Sequence, residues 1–422
     1  MNQVNSLKTE IKFKKTEIGH IPLDWQLQKY SDVSIINPSY KIPKGEECAF
    51  VEMAAVNSDK SEVSYFKKRI FGESGGTRFR ESDVLFARIT PCTDNGKIAF
   101  IKELPTEFGF GSTEFIVLSP KQDKVDPRFL FYSTKQERIR NYAVGRMKGT
   151  TGRQRVPNEV FTEELYLAIP PLPEQKKIAE ILITVDEAME KKRAIIEKTK
   201  ELKKGLMQEL LTRGIGHKKF KKTEIGEIPE NWEVVKLKDV GIIITGSTPS
   251  TKKTEYYNGD YLWATPIDLG KNKYVNTTHK MLSSKGKEVI RNIPKGSVLV
   301  VCIGSTIGKV GMALKDMATN QQINSILCKD TWNCHFIYYW MEKISDYLFS
   351  IAGKHAVPIV NKTLFSLISI PKPPRDEQDI IGELLVSIDC KIEKESTHID
   401  KLTTIKKSLM QELLSGRLRA RI

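Results

Sequence analysis

Apolar or near-apolar side chains recur at steps of three, four or seven residues in two long stretches of the chain. The positions in the first stretch are Ile178, Leu182, Val185, Met189, Ile196, Thr199, Leu206 and Leu210, and those in the second are Ile381, Leu385, Ile388, Ile392, Ile399, Leu402, Leu409 and Leu413. This heptad pattern is typical of coiled coils, in which the apolar seam of each helix needs a partner. It predicts two helices, over about 174–212 and 376–415, each roughly 58 Å long at about 1.5 Å per residue.

The rest of the chain has a different pattern, in which short β-branched or aromatic runs alternate with Gly, Asn and Pro. Runs of this kind predict strands separated by turns. We expect strands at 49–53, 84–89, 115–118, 297–303 and 323–327, and short helices at 127–142 and 334–351. The two long helices therefore alternate with two compact domains that mix strands and short helices.

The chain also repeats itself. Residues 12–22 read KFKKTEIGHIP and residues 219–229 read KFKKTEIGEIP, with Trp25 matched by Trp232. A second match pairs KKGLMQELL at 203–211 with KKSLMQELL at 406–414, and Glu174-Gln175 with Glu377-Gln378. The residues between these anchors diverge, so similar frames hold different interiors.

The repeat and the helical pattern together predict the organisation of the chain. The expected segments are an N-terminal tail (1–11), a first domain (12–171), a first long helix (172–213), a second domain (214–373), a second long helix (374–417) and a C-terminal tail (418–422). Because the link from the first helix to the second domain is short, at 213–218, the second helix must run back along the first. The predicted fold class is α+β, with two globular α+β domains separated by two long antiparallel coiled-coil helices, in an internal pseudo-two-fold repeat.

These features resemble a known family. The repeated frame, IPPLPEQKKIAEIL at 169–182, the weaker IPKPPRDEQDIIGELL at 370–385 and the two LMQELL motifs resemble the specificity subunit of Type I restriction-modification enzymes over about residues 12–417. The second helix departs slightly from the family at its start, where Arg375-Asp376-Glu377 replaces a Pro-Glu-Glu type of sequence.

The resemblance implies a function. It implies two target-recognition domains, each of which reads one half of a split, asymmetric sequence in double-stranded DNA. The helices would set the unread gap and dock two methyltransferase subunits, which restriction-translocase subunits join in the full complex. S-adenosylmethionine would be bound by the methyltransferase, and this chain would hold no catalytic residue, metal or cofactor.

Charge and targeting signals agree with this interpretation. Lys and Arg number 67 against 52 Asp and Glu, a formal net charge of +15 that suits a polyanion such as DNA. A solvated basic surface without a partner would give the same composition. The N-terminus lacks the apolar run of a signal peptide, and no stretch reaches the roughly 20 apolar residues of a membrane helix, so we expect a cytoplasmic protein without membrane contact. The six scattered cysteines are predicted to be reduced thiols.

Candidate DNA-reading residues are those with paired donors and acceptors: Arg and Lys for guanine, and Asn and Gln for adenine. In the first domain, the Gly-punctuated basic segment RMKGTTGRQR supplies Arg146, Lys148, Arg153, Gln154 and Arg155, and a second group comprises Arg88, Asn95 and Lys97. In the second domain the candidates are Lys309, Asn320, Gln321, Gln322, Lys354 and His355. For each single residue, a solvated surface side chain is the alternative.

Other interpretations of the chain remain open at this point. It could be a coiled-coil scaffold, an orphan DNA-binding regulator derived from a specificity subunit, or a self-contained methyltransferase or nuclease. Against an enzyme, GSTIGK at 304–309 lacks the spacing of a phosphate-binding loop, and Asn37-Pro38-Ser39-Tyr40 lacks the second proline of an amino-methyltransferase box. Cys328, Cys334 and His335 lack a fourth metal ligand at suitable spacing. Apolar seams left exposed on the helices would favour self-association of the free chain.

Overall fold

A computed structural model describes residues 11–73, 75–150, 152–353 and 356–420. The chain divides into two compact units. Unit 1 comprises the residues up to Arg193 together with those from His398 onward, and unit 2 comprises Ala194–Thr397. Both long helices contribute one part to each unit. None of the helices within the described ranges combines the length and the apolar character that a membrane crossing needs.

The strands of the first domain lie in unit 1 and are β1 (Phe13–Thr16), β2 (Gly19–Pro22), β3 (Gln26–Lys29), β4 (Ser34–Ile36), β5 (Glu47–Val51), β6 (Lys67–Ile70), β7 (Thr77–Phe79), β8 (Val84–Ala87), β9 (Ile98–Phe100), β10 (Gly109–Gly111), β11 (Phe115–Pro120) and β12 (Tyr166–Ile169). Its helices are α1 (Tyr30–Val33), α2 (Pro127–Thr134) and α3 (Glu137–Gly145), followed by the long helix α4 (Leu172–Leu210).

Two sheets build the first domain. One has four strands in the order β4-β11-β8-β9 and is antiparallel throughout. Its strands β8 and β11 are buried along their whole length, as their largely apolar sequences require. The other also has four strands, in the order β6-β5-β10-β7, and contains one parallel pair, β5 with β10. A separate ladder joins β3 to β12, so the two ends of the domain meet at the start of α4.

The second domain lies in unit 2. Its strands are β13 (Phe220–Thr223), β14 (Gly226–Pro229), β15 (Glu233–Lys236), β16 (Gly241–Thr245), β17 (Tyr257–Ala264), β18 (Tyr274–Val275), β19 (Lys280–Leu282), β20 (Val298–Val301), β21 (Val310–Ala313), β22 (Ala318–Thr319), β23 (Ile323–Cys328) and β24 (Ser369–Lys372). Its helices are α5 (Leu237–Val240), α6 (Ser284–Glu288), α7 (Cys334–Lys343), α8 (Ser345–Ile351) and α9 (Lys362–Ser366), followed by the long helix α10 (Arg375–Leu414).

The second domain has the plan of the first. Its main sheet, β16-β23-β20-β21-β18, has four strands in the order of their counterparts and one additional parallel strand. Its smaller sheet, β19-β17-β22, again contains a parallel pair, β17 with β22. The ladder of β15 with β24 matches that of β3 with β12. The α+β class and the internal repeat predicted from the sequence are therefore confirmed.

Two details of the predicted helices are wrong. The single helix predicted at 127–142 is two helices, α2 and α3, because Gln136 between them is extended, with ψ at 140°. The helix predicted at 334–351 is likewise interrupted, at Ile344. Helix α4 begins at Leu172, at the start of the predicted helical segment 172–213, and Pro173 lies in its first turn, where a missing backbone N–H breaks no hydrogen bond.

The two long helices are antiparallel. In unit 1, the beginning of α4 shares an apolar core with the end of α10, and the buried residues of this core include Ile178, Leu182 and Leu413. In unit 2 the end of α4 shares a core with the beginning of α10. The remaining predicted seam residues are buried or half-buried. The buried ones are Met189, Ile196, Leu210, Ile381, Leu385 and Ile388, and the last four of these belong to the second core. The half-buried ones are Val185, Leu206, Ile392, Ile399 and Leu409. Both ends of the seam thus belong to the domain cores.

Candidate nucleic-acid interface

Each domain is fixed to a long helix by a repeated Trp–Glu contact. In unit 1, Trp25 Nε1 donates a hydrogen bond to Glu174 Oε2 at 3.2 Å, in a fully buried environment. Arg419, from the segment after α10, donates to the same carboxylate at 2.7 and 2.8 Å and also pairs with Asp24. These partners raise the pKa of the Arg419 guanidinium above its ordinary value. The C-terminal segment is thereby tied to the start of α4.

Unit 2 repeats this arrangement with a different third partner. Trp232 Nε1 donates to Glu377 Oε2 at 2.9 Å. The other oxygen of Glu377 accepts the backbone N–H of Ile215 at 2.9 Å and lies 2.8 Å from His217 Nε2. Ile215 and His217 belong to the link that follows α4, so this link has the role that the C-terminal segment has in unit 1.

The neighbouring glutamines make a second repeated contact. Gln175 Oε1 accepts the backbone N–H of Asp126 at 2.8 Å, and Asp126 caps α2 by accepting from Arg128 N and Phe129 N. Gln378 Oε1 accepts the backbone N–H of Asn333 at 2.9 Å, and Asn333 caps α7 in the same way. The residues that recur in the sequence are thus those that hold each domain on its helix.

The basic segment of the first domain is a hairpin loop on the surface of unit 1. Lys148 and Arg155 exchange two backbone hydrogen bonds, of 2.9 and 3.0 Å, and Gly149 and Gly152 adopt positive φ values that permit the tight turn between them. Lys148, Arg153 and Arg155 are exposed, and Gln154 is half-buried. Thr151 of this loop lies outside the described residues. The loop therefore presents several cations on a small area of backbone.

Two arginines of this region are held by carboxylates. Arg155 forms a bidentate pair with Glu114, with contacts of 2.7 to 3.0 Å. Arg146 Nε lies 2.9 Å from Glu164 and its Nη2 donates to Tyr142 at 3.0 Å. Both pairs are exposed, so their partners can be exchanged for phosphate or base at little cost. Within the described part of the chain, the side chains of Lys148 and Arg153 form no ion pair of this kind.

The second candidate group of the first domain, Arg88, Asn95 and Lys97, contains two side chains engaged within the fold and one that is exposed. Arg88 is half-buried and its Nη1 donates to Asn158 at 3.1 Å, while burial lowers the pKa of its guanidinium. The Lys97 ammonium donates to the carbonyl of Met53 at 3.0 Å, a contact within the fold. Asn95 is exposed and lines a cavity of about 740 Å³ together with Arg138 and Arg140 of the α3 region. Of the three, Asn95 has the most accessible side chain.

The equivalent loop of the second domain has a different surface. In the first domain, backbone hydrogen bonds join Thr90 N to Gln154 O and Val156 N to Arg88 O; in the second, the corresponding bonds join Gly304 N to Pro358 O and Val360 N to Cys302 O. This places Val357 and Ile359, which are 54% and 45% exposed, where the first domain has its basic loop. Lys354 and His355, predicted to read DNA, lie outside the described residues.

The remaining candidates of the second domain include two that face inward. Asn320 is 8% exposed; its amide donates to Gln322 Oε1 at 2.9 Å and accepts the backbone N–H of Gln322. The Gln322 amide also donates to a backbone carbonyl, at Ile303. Gln321 is exposed and accepts from Thr248, and Lys309 lines a cavity of about 850 Å³. The amide cluster predicted as a reader is therefore partly occupied by its own hydrogen bonds.

One exposed basic segment was missed in the sequence. Strand β6, with sequence KKRI, forms the outer edge of the sheet β6-β5-β10-β7 of the first domain, and all four of its residues are exposed. Lys68 has 81% of its side chain exposed, and the Arg69 guanidinium lies 4.0 Å from the centre of the Phe50 ring. The signal in the sequence is three consecutive basic residues, Lys67, Lys68 and Arg69, without the glycines of the 146–155 segment.

The enzyme-like motifs have roles in the fold. Asn37 Oδ1 accepts the backbone N–H of Val117 at 2.9 Å, and Tyr40 donates to Asp83. GSTIGK forms the turn between β20 and β21. Across residues 11–73, 75–150, 152–353 and 356–420, no three His, Cys, Asp or Glu side chains are grouped as metal ligands.

A duplicated frame that presents two unlike surfaces beside a pair of antiparallel helices defines a class of DNA-recognition subunits, and comparison with known proteins agrees. Residues 22–200 and 229–404 match the family described as Type I restriction modification DNA specificity domain. The chain belongs to this family, and its role is DNA recognition.

Individual relatives and solved structures give the same result. The Type I restriction enzyme MjaVIII specificity subunit of Methanocaldococcus jannaschii is 32% identical over 74% of this chain and 75% of its own length. The HindI specificity subunit of Haemophilus influenzae is 26% identical over 80% of this chain and 86% of its own length. The S subunit of a Type I restriction-modification system from M. genitalium matches in fold with a TM-score of 0.57 at 14% identity, over 96% of this chain and 97% of that chain.

Proposed function

We propose that each domain reads one half of a split DNA sequence and that the two halves differ. The observation that carries this proposal is the contrast between equivalent loops: the loop at 146–155 is basic, whereas Val357 and Ile359 are apolar and exposed in the second domain. Arg and Lys side chains recognise guanine and hold phosphates, whereas apolar side chains contact the methyl group of thymine. Unlike loops on similar frames therefore favour an asymmetric target.

We assign the reading of the first half-site to Arg146, Lys148, Arg153, Gln154 and Arg155, with Arg88, Asn95 and Lys97 in support. For the second half-site we assign Lys309, Asn320, Gln321, Gln322, Lys354 and His355. Among these, the exposed side chains of Lys148, Arg153 and Gln321 are the best placed for base contacts. The domains comprise residues 12–171 and 214–373, and the helical segments comprise 172–213 and 374–417.

The long helices dock the partner subunits. Several of their large apolar side chains are exposed in unit 2, among them Leu202 at 56% and Ile195 at 38% on α4, and Ile380 at 56% and Leu384 at 40% on α10. Exposed apolar side chains on one element mark a surface that a partner covers. We infer that this partner is a methyltransferase subunit, that the repeat provides two such surfaces, and that restriction-translocase subunits join the resulting complex. We expect these uncovered surfaces to promote self-association of the free chain.

Catalysis belongs to the partners. This chain binds no cofactor in the proposed complex, and S-adenosylmethionine is held by the methyltransferase. The proposal separates the chain from a self-contained enzyme and from a coiled-coil scaffold, since neither requires two different readers.

The test is co-expression of the chain with its methyltransferase partner, followed by mapping of methylated bases in the host DNA. We expect a single split motif. Exchange of residues 12–171 for those of a relative should change one half of the motif, and exchange of 220–372 should change the other. Association without any motif would indicate a scaffold, and methylation by this chain alone would overturn the assignment of catalysis to the partner.

A further inference from the structure

A largely buried group of three side chains joins the first domain to both long helices. Asp186 of α4 accepts a hydrogen bond from the Tyr132 hydroxyl of α2 at 2.7 Å and lies 2.5 Å from the Lys406 ammonium of α10. The Ser61 hydroxyl donates to the same carboxylate. Only 12% of the Lys406 side chain and 17% of the Asp186 side chain are exposed. One carboxylate thus connects three elements.

The second domain contains the same group. Asp389 of α10 accepts from the Tyr339 hydroxyl of α7 at 2.6 Å and lies 2.9 Å from the Lys203 ammonium of α4. Lys203 lies 5.1 Å from the centre of the Tyr339 ring, as Lys406 lies 5.5 Å from that of Tyr132. We call the two groups the Tyr–Asp–Lys triads.

Each triad is completed by the other repeat. The tyrosine and aspartate come from one domain and the helix that follows it, whereas the lysine comes from the other helix. Seventeen residues separate Asp186 from Lys203, and seventeen also separate Asp389 from Lys406. In an antiparallel pair, a step forward on one helix is a step back on the other, so equal spacings mean that both triads require the same register.

The apolar seam alone does not specify this register. A slip of one heptad keeps apolar residues in contact along a coiled coil. It would, however, place Ile399 or Leu413 opposite Asp186, and Ile196 or Leu210 opposite Asp389. Two carboxylates would then be buried without a cation, which is far more costly than the loss of an exposed pair. The triads therefore discriminate between registers that apolar packing tolerates.

The electrostatics of the triad in unit 1 agree with this. Burial disfavours the ionised form of Asp186, but the Lys406 ammonium and the hydrogen bonds from Lys406, Ser61 and Tyr132 outweigh it, so the pKa of Asp186 is lowered. Burial and the same carboxylate raise the pKa of Tyr132, which keeps its hydroxyl protonated as a donor. The carboxylate is thus charged and dependent on its cation.

We propose that the two Tyr–Asp–Lys triads are positioning devices that fix each domain on the helix pair in one register, and thereby fix the number of base pairs between the two half-sites. This inference rests on the proposed reading of a split target. A slip of one heptad displaces a helix by about 10.5 Å, at about 1.5 Å per residue, which corresponds to about three base pairs at about 3.4 Å each along the duplex. A slip of one heptad would consequently be visible in the spacer.

The experiment uses the full chain co-expressed with its methyltransferase. The variant Lys203→Met/Lys406→Met removes both cations and keeps side chains of similar length. Its matched control, Lys204→Met/Lys407→Met, makes the same change of charge at the next positions on the same helices, both of which are exposed. Methylated sites are mapped, and the spacer length of every methylated site is tabulated.

We expect a single spacer length for the unaltered chain and for the control. The variant should methylate additional sites whose spacer is about three base pairs longer or shorter, with both half-site sequences unchanged. The variant Lys203→Arg/Lys406→Arg should restore the single length, because a cation is retained. A purely structural role would instead lower methylation at all sites and leave one spacer length, and this outcome would overturn the proposal.

Two further outcomes are informative. If the methionine variant yields no soluble complex, the single variants Lys203→Met and Lys406→Met each remove one cation; a single spacer length in both would contradict the proposal. If the unaltered chain and its partner give no split motif, the proposed function itself fails, and the triads cannot have this role.

Discussion

Asp83 is a buried acid whose ionisation opposes the stability of the first domain. It precedes the buried strand β8, is fully inaccessible to solvent, and accepts hydrogen bonds from Arg80 N at 2.9 Å and from the Tyr40 hydroxyl at 3.1 Å. Burial is the main reason why its pKa is raised from 3.8 to about 6. We predict that Asp83→Asn removes most of the pH dependence of stability that this domain shows between pH 4 and 7.

The magnitude follows from the shift. Because the folded pKa is the higher one, the folded domain retains a proton that the unfolded chain releases, so this group's contribution is fully present below about pH 4 and is lost as the pH rises through 6. At about 1.4 kcal/mol per pKa unit, the loss is about 3 kcal/mol. Asparagine keeps an acceptor for Arg80 N and does not titrate.

The assay is amide hydrogen exchange of β8 at pH 4.5 and pH 7.5, corrected for the intrinsic pH dependence of exchange. Strand β20 of the second domain is the internal control, because the matched residue there is the buried Ser297, whose hydroxyl donates to Pro294 O at 2.7 Å. We expect the amides of β8 to lose protection from exchange at pH 7.5 in the unaltered chain but not in Asp83→Asn. An equal loss of protection in the two proteins would refute the reasoning.

Three other predictions concern partners, DNA and the C-terminal contact. Leu202→Asp should abolish association with the methyltransferase in co-purification without lowering the melting temperature, because this side chain is 56% exposed. The control Lys204→Asp should leave both the association and the melting temperature unchanged. If Arg153 forms a bidentate contact with a base, Arg153→Ala should weaken DNA binding by about 1–3 kcal/mol and relax specificity at one base position. If Arg153 contacts a phosphate, the slope of log binding constant against log salt concentration should instead fall by about one. Competition binding at two salt concentrations distinguishes these two results. Arg419→Met leaves the buried Glu174 carboxylate without its cation and should destabilise unit 1 by about 3–5 kcal/mol in urea unfolding, whereas an unchanged midpoint would mean that the carboxylate is satisfied by Trp25 alone.

The duplication and the heptad pattern made the architecture predictable from the sequence. Two near-identical frames with unlike interiors imply two domains of one fold, and a short link between a long helix and the next domain implies an antiparallel return. These inferences depend on pattern and chain connectivity, which a sequence displays directly. The fold class is confirmed for this reason, whereas the interruptions at Gln136 and Ile344 depend on local backbone angles that periodicity does not report.

The contacts between elements distant in the chain were harder to predict from the sequence. Tyr132, Asp186 and Lys406 are far apart in the chain, and heptad analysis treats the two charged residues as solvated neighbours of the seam. Their recurrence as Tyr339, Asp389 and Lys203 was the available signal, because charges retained at matched positions of diverged repeats deserve a structural explanation. Among the DNA candidates, composition could not reveal which amides the fold already uses.

The repeated Trp–Glu and glutamine contacts that fix each domain to its helix also affect how recombination can change the gene. Trp25, Glu174, Gln175 and the cap at Asp126 secure the first domain, and their equivalents secure the second, while the interior sheets contribute nothing to these contacts. Recombination within the repeated segments can therefore replace the interior of one domain with that of a relative and leave these contacts intact. If each domain reads one half-site, as proposed, one such exchange would change one half of the target sequence and leave the proposed methyltransferase surface on the helices unchanged.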